Sequence, residues 1–329
     1  MTKPKVAFYW CAACGGCEEA VVDLNDELLA AVELVDVVFW PVALDFKRED
    51  VEAFADGELA AAFINGAVRT SEQEEMVALL RRKSQAVVAF GSCAVQGGIP
   101  GLANLYDRQA ILDTAYREAP SLEAPATVFP AQESQVSQGQ LDLPVFGATV
   151  HTLDQVIDVD YYLPGCAPPA GLIWSALSAL VEGRLPEKGA VLAPDIALCS
   201  ECRLSPTKPE KLSVDHFRRP HEFVADPDLC LLAQGLVCLG PATRAGCQAV
   251  CVTANMPCTG CMGPTSRVSD YGAKALSAIA SLLGANEADE VEARMAEIVD
   301  PVGTFYRYSL PASLLHRRAG VPVGNGAKP

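Results

Sequence analysis

Two hydrophobic rhythms run through the first half of the chain. Residues 5–10, Lys-Val-Ala-Phe-Tyr-Trp, make a short apolar run that ends in a loop containing Gly15-Gly16. From Glu18 to Val32 the apolar positions Ala20, Val21, Leu24 and Leu28 step by three and four, which predicts one helix. Leu34 to Trp40 reads as a strand, and Leu59 to Ile64 as another, closed by Asn65-Gly66. Residues 71–83 read as a helix with Ser71 as cap and Glu74 three positions on. Ala86 to Phe90 predicts a further strand ending at Gly91, Val156 to Leu163 one ending at Pro164-Gly165, and Gly171 to Glu182 a helix. Strands alternating with helices over short loops predict a parallel sheet covered on both faces.

The rhythm fades elsewhere. Residues 100–150 are rich in Gln, Pro and Ser and carry no assignable period. Around 184–198 the character changes, with Pro186 and Pro194 followed by loop-rich, cysteine-dense sequence, so a domain boundary is placed near 187. Two later helices are predicted at 272–284 and 287–299. Beyond Pro301 the tail is spotted with Pro and Gly, and its last ten residues are expected to be loose.

A chain of 329 residues suits about two domains. Its net charge of −16 argues against nucleic acid and against anionic lipid. The start, Met1-Thr2-Lys3-Pro4-Lys5, turns polar too quickly for a signal peptide, and no apolar run suffices to span a bilayer. A cytoplasmic protein is expected, where structural disulfides are rare. Thirteen cysteines there point to metal or redox chemistry.

Twelve of the thirteen sort into groups of four. Cys14, Cys17, Cys93 and Cys166 are dispersed over the first half; Cys199, Cys202, Cys230, Cys238, Cys247, Cys251, Cys258 and Cys261 crowd the second. Cys14/Cys17, Cys93 and Cys166 each follow a predicted strand. Ligands collect at the carboxyl ends of strands in such sheets, so these distant residues are expected to converge on one edge. Four thiolates are what one iron–sulfur cubane needs. An isolated C-x-x-C also fits zinc or a redox pair, but one pair plus two single cysteines suits a cluster better.

The C-G-G-C-E run after the first strand, G-S-C-A-x-x-G-G-I at 91–99 and P-G-C-x-P-P at 164–169 resemble the small subunit of nickel–iron hydrogenases. The resemblance continues through Cys230-Leu231 and Cys238-Leu239-Gly240-Pro241, R-A-G-C at 244–247 and M-P-C-x-G-C-x-G-P at 256–264. It covers roughly residues 5 to 270 and is nearest to the cytoplasmic gamma subunits of methyl-viologen-reducing and deazaflavin-reducing hydrogenases. It implies a flavodoxin-like α/β domain over residues 1–186, followed over 187–329 by a loop-rich iron–sulfur domain with a few helices.

The resemblance further implies three 4Fe–4S clusters. Cys14, Cys17, Cys93 and Cys166 would hold the proximal one, facing the nickel–iron centre of a separate large subunit. Cys199, Cys202, Cys230 and Cys238 would hold the distal one, with Cys199 where periplasmic members have histidine. Cys247, Cys251, Cys258 and Cys261 would hold the medial one, with Cys251 where many have proline. Two choices stay open: a Cys11/Cys14 register in the first loop, and a pairing that mixes the last eight cysteines. Cys11 reads as a buried free thiol. Glu18 has two readings, a proton path to the active site or a solvated carboxylate favoured by the helix dipole. His216 and His221 lie in a basic, loop-like stretch and read as surface residues.

The chain has no pair of terminal C-x-x-C motifs to hold nickel, so hydrogen would be split in the large subunit. Electrons would pass to an iron–sulfur or flavin acceptor subunit, in the methyl-viologen type on the way to heterodisulfide reductase. No dinucleotide fingerprint or phosphate loop is present. Two rival readings are the iron–sulfur subunit of a quinone-reducing complex and a zinc-stabilised structural module. The quinone-reducing relative has adjacent cysteines after its first strand and usually lacks the second domain, and both differences disfavour it. Zinc held by Cys199/Cys202 and Cys258/Cys261 leaves four cysteines unexplained.

Overall fold

The computed structural model describes residues 3–123, 129–285 and 287–317. Strands β1 (Lys5–Trp10), β2 (Asp36–Phe39) and β3 (Leu59–Asn65) open the chain, with β4 (Val68–Thr70) and β5 (Ser84–Phe90) after them. β6 (Glu133–Val136), β7 (Gly139–Asp142) and β8 (Phe146–His151) follow, then β9 (Tyr161–Leu163) and β10 (Ala190–Val191). Six of these form one sheet in the order β10-β9-β5-β3-β1-β2. Every pairing in it is parallel. The sheet grows outward in both directions from β1 and β3, the flavodoxin-like arrangement, and a switch of this kind opens a crevice beyond the strand ends.

Continuous apolar runs mark strands buried on both faces. Phe8, Phe63, Val88 and Phe90 point to one face with Val21 and Leu24 near α1 (Gly16–Val22) and Ile173 and Leu177 of a later helix. Ala7, Ile64, Val87 and Ala89 point to the other, against Met76, Val77 and Leu80.

The single helix predicted over 18–32 is two, α1 and α2 (Asp26–Leu34). Asn25 breaks it at φ +53°, and its side-chain amide donates to Asp23 O at 2.8 Å. Asparagine tolerates a positive φ better than most residues. After α3 (Arg48–Glu52), helix α4 (Ser71–Lys83) is capped one residue earlier than predicted. Thr70 accepts from Gln73 N–H at 3.3 Å, while the Gln73 side chain accepts from Thr70 N–H at 3.0 Å. α5 (Gly91–Gln96) follows β5 directly. The strand predicted over 156–163 shrinks to β9, because a 3₁₀ turn at Leu153–Gln155 and an irregular approach precede it. The segment without a legible period holds a 3₁₀ helix (Ile99–Leu105), α6 (Arg108–Asp113), the exposed β6–β7 hairpin, and β8, antiparallel to β4.

After α7 (Ala170–Val181) the chain is mostly loops and 3₁₀ turns, with α8 (Val250–Thr253), α9 (Tyr271–Ala280), α10 (Ala288–Ala296) and α11 (Pro301–Phe305). The segment after Pro301 returns to the first half. Tyr308 O accepts from Gly98 N–H at 2.9 Å, and Pro311 O from the Gln155 side chain at 2.8 Å. The last ten residues, expected to be loose, lie outside the described residues. Among the described residues no helix is long and apolar enough to cross a membrane.

Candidate metal centres

Three strand ends bring the first group together. Cys14 lies in the loop after β1 and Cys17 on the first turn of α1; Cys93 is on α5 after β5, and Cys166 follows β9. Ser92 N–H donates to Gly165 O at 2.8 Å and locks two of these turns together. Glycine is required where thiols approach backbone. A Cβ on Gly91 would stand 2.3 Å from Cys17 Sγ, and one on Gly98 2.3 Å from Cys93 Sγ. Burial first, and then Cys93, Cys166 and Cys14, hold the Cys17 thiol well above its ordinary pKa. Burial, then Cys166 and Cys14, push Cys93 up to about 12. Cys17 and Cys93 are buried, whereas Cys14 and Cys166 are exposed, so the group opens on one side.

Cys11 stands apart. It is packed in the core on the opposite face of the sheet, and burial alone raises its thiol pKa. The structure therefore gathers Cys14/Cys17, not Cys11, with Cys93 and Cys166.

The second half forms two further groups. Cys199, Cys202, Cys230 and Cys238 line one apolar pocket. Lys208 Nζ lies 3.7 Å from Cys199 Sγ. Cys247, Cys251, Cys258 and Cys261 line another. Buried Arg244 ties the loops around this pocket, donating to Pro264 O at 2.9 Å and Pro194 O at 3.2 Å and pairing with Asp195 at 3.0 Å. Glu201 accepts from Gly246 N–H at 2.9 Å and joins the Cys202 loop to the Cys247 loop. Cys199/Cys202 and Cys258/Cys261 thus fall in different pockets, unlike the zinc pairing weighed from sequence.

The groups touch in a fixed order. The Cys166 thiol and backbone N–H both act on the Cys261 thiol electrostatically, the first raising and the second lowering its pKa. Ser92 Oγ donates to Cys261 O at 2.5 Å. On the other side, Cys258 N–H donates to Cys238 Sγ at 3.4 Å. The Cys247 group lies between the other two.

The thiols meet prearranged donors. Gly240 and Cys258 backbone N–H groups face Cys238, those of Ala249 and Val250 face Cys247, and that of Ile99 faces Cys93. The turn after Cys247 puts Gln248 at φ +54° and Ala249 at φ +52°. Left-handed backbone costs a non-glycine residue about 1–2 kcal/mol. Here it directs successive N–H groups at one sulfur. Burial pushes Cys238 up to about 11 and Cys261 up to about 12, so each thiol resists ionisation without a nearby cation. A metal centre supplies that charge and deprotonates a coordinating thiol outright. Donor set, amide arrangement and electrostatics all fit thiolate-bound metal. Among the described residues, no three His, Cys, Asp or Glu side chains close up as they would around one ion.

Glu18 is not solvated, in contrast to one of its two expected readings. It is 4 % exposed and accepts from Trp40 Nε1 and Asn65 Nδ2. Burial raises its pKa, and these two donors oppose the rise. His216 is exposed and bonds Glu297 Oε1 at 2.9 Å. Trp40 and Asn65 entered the sequence reading only as strand ends, and Lys208 and Thr243 not at all, because no local pattern marks their place beside these groups.

Residues 14–180 match the family described as NADH ubiquinone oxidoreductase, 20 Kd subunit. The chain is 37 % identical to the iron–sulfur subunit of the F420-non-reducing hydrogenase of Archaeoglobus profundus, over 95 % of this chain and 98 % of that protein. It is 38 % identical to the corresponding F420-non-reducing hydrogenase subunit of Methanothermobacter thermautotrophicus, over 95 % and 96 %. Among solved structures it resembles in fold a chain of the [NiFeSe] hydrogenase from Desulfovibrio vulgaris Hildenborough, with a TM-score of 0.52 at 19 % identity, over 80 % of this chain and 94 % of that one. The flavodoxin-like sheet, the cysteine motifs on its edge and the full-length relatives agree: this chain belongs to the family of F420-non-reducing hydrogenase iron–sulfur subunits, which are small subunits of nickel–iron hydrogenases.

Proposed function

We propose that this chain is the electron-conducting subunit of its hydrogenase, holding three 4Fe–4S clusters on twelve cysteines. Cys14, Cys17, Cys93 and Cys166 hold the proximal cluster, Cys247, Cys251, Cys258 and Cys261 the medial one, and Cys199, Cys202, Cys230 and Cys238 the distal one. When bound, the clusters supply one-electron transfer between the active site of a large subunit and an external acceptor. The observation that carries this reading is the convergence of the cysteines into three four-thiol groups in contact order, through Cys166–Cys261 and Cys258–Cys238.

The chain's own residues do three things. They bury the thiols, direct backbone N–H groups at the sulfurs, and fix the spacing between groups. The exposed side of the first group, at Cys14 and Cys166, faces the large subunit. The partly exposed Cys199 group faces an iron–sulfur or flavin acceptor subunit, in a cytoplasmic complex linked to heterodisulfide reductase. Glu18, beside Cys17 and held by two donors, is the residue assigned to a proton path toward the active site. Residues 1–186 carry the proximal cluster, and 187–329 the other two. The quinone-reducing alternative is not favoured, because that family match ends at residue 180, before the last eight cysteines.

Substitution tests the partition. Cys93→Ser, Cys251→Ser and Cys202→Ser are each expected to abolish or convert one of three paramagnetic signals in the reduced complex and spare the other two. Loss of a single shared signal in Cys251→Ser and Cys202→Ser would contradict the medial and distal assignment.

A further inference from the structure

Thr243 lies where the medial and distal groups meet, buried at 1 % exposure. Three partners surround its hydroxyl oxygen. Leu239 O is at 2.7 Å, the Tyr271 hydroxyl at 2.9 Å and Cys258 Sγ at 3.6 Å. Tyr271 begins α9 and is itself buried. Its hydroxyl is electrostatically coupled to Cys258, Cys261 and Cys238, which belong to both groups. Gly260, between two medial cysteines, makes room for it: a Cβ there would stand 2.0 Å from the tyrosine oxygen. The glycine in the Cys258–Cys261 spacer therefore admits a polar group as well as turning the chain.

Counting hydrogens sets the direction of the contacts. The Thr243 hydroxyl has one hydrogen, and Leu239 O accepts only. As a free thiol, Cys258 donates to Thr243 Oγ1. As a metal-bound thiolate it has no hydrogen and can only accept. The Thr243 hydrogen already points to Leu239 O at 2.7 Å, so it would reach a Cys258 thiolate 3.6 Å away only as the longer arm of a bifurcated bond, with Tyr271 then the donor to Thr243.

We propose that Tyr271 and Thr243 form a hydrogen-bond relay ending on the Cys258 sulfur, which raises the reduction potential of the medial cluster. The relay rests on the reading of Cys258 as a cluster ligand. Thr243 contacts the ligand sulfur; Tyr271 is a positioning residue that acts through it. A donor to a ligand sulfur favours the more negative, reduced cluster. Dry surroundings strengthen each bond, and the tyrosine polarises the threonine hydroxyl further. The relay sets the middle step of the electron path, which no cysteine count could reveal.

The test is a redox titration of the complete complex, followed by paramagnetic resonance, for Thr243→Val, Thr243→Ser and Tyr271→Phe. Thr243→Val is expected to shift the medial midpoint to lower potential and leave the proximal and distal midpoints in place. Tyr271→Phe is expected to shift it less in the same direction, and Thr243→Ser to retain it. An unmoved medial midpoint in Thr243→Val, or an equal shift of all three clusters, overturns the relay alone. Where Thr243→Val does not assemble, Tyr271→Phe decides: a lowered medial midpoint supports the relay and an unmoved one overturns it. A missing medial signal in the unsubstituted complex overturns the cluster reading, and the relay with it.

Discussion

A buried cysteine in these groups faces a conflict that metal resolves. Burial pushes Cys238 up to about 11 and Cys93 and Cys261 up to about 12, against about 8.5 for a free thiol. Above pH 8.5 the unfolded chain has released protons that the metal-free fold still holds, so ν_U is below ν_N and stability falls with rising pH. The contribution is complete below about pH 8.5 and is lost by about pH 11–12. Thermal unfolding of the metal-free chain is therefore expected to weaken steadily across that window, and a flat profile would contradict the burial account. Glu18 makes a second residue-scale case. In Glu18→Gln the amide carbonyl can still accept from one partner, but its NH2 is set against the other, Trp40 Nε1–H or Asn65 Nδ2–H. A loss of about 1–3 kcal/mol is expected in denaturant unfolding, and less than about 0.5 kcal/mol would contradict the described pairing. The position of Glu18 after Cys17 was legible in sequence. Its burial was not, because Trp40 and Asn65 arrive from the ends of β2 and β3.

Elements were legible where burial is two-sided. β1, β3 and β5 read as apolar runs because both sheet faces are covered. Boundaries were harder. Thr70 and Ser71 both suit a helix cap, and only backbone geometry selects Thr70. Thr70→Ala is expected to cost about 1 kcal/mol in chemical denaturation, and an unchanged midpoint would return the cap to Ser71. The division of α1 from α2 depends on Asn25, whose positive φ nothing in the apolar spacing demands. Turns matter more than helices for the metal groups. A Cβ on Gly98 would stand 2.3 Å from Cys93 Sγ, at φ +60°. Gly98→Ala is expected to remove the proximal paramagnetic signal while the other two persist; retention of all three would show that the Gly98 turn is not a required cradle.

Across the whole molecule, what sequence supplied was a set of cysteines, and what folding supplied was their order. Parallel crossovers carry the ends of β1, β5 and β9 to one edge, so residues as distant as Cys14 and Cys166 become neighbours. The motifs of the second half suggested two groups but left a mixed pairing open. Leu204, Leu231 and Lys208 line the pocket of the Cys199 group and Thr243, Ala249 and Met262 that of the Cys247 group, while Leu198 and Val252 border both. The return of the chain beyond Pro301 to Gly98 and Gln155 was invisible, since single backbone hydrogen bonds leave no periodic trace. The central claim is that these groups hold three four-iron clusters. Anaerobic iron and inorganic-sulfide determination on the purified chain tests it most directly. About twelve irons and about twelve sulfides per chain are expected, whereas zinc in place of iron, or about eight irons or fewer in fully loaded protein, would contradict it.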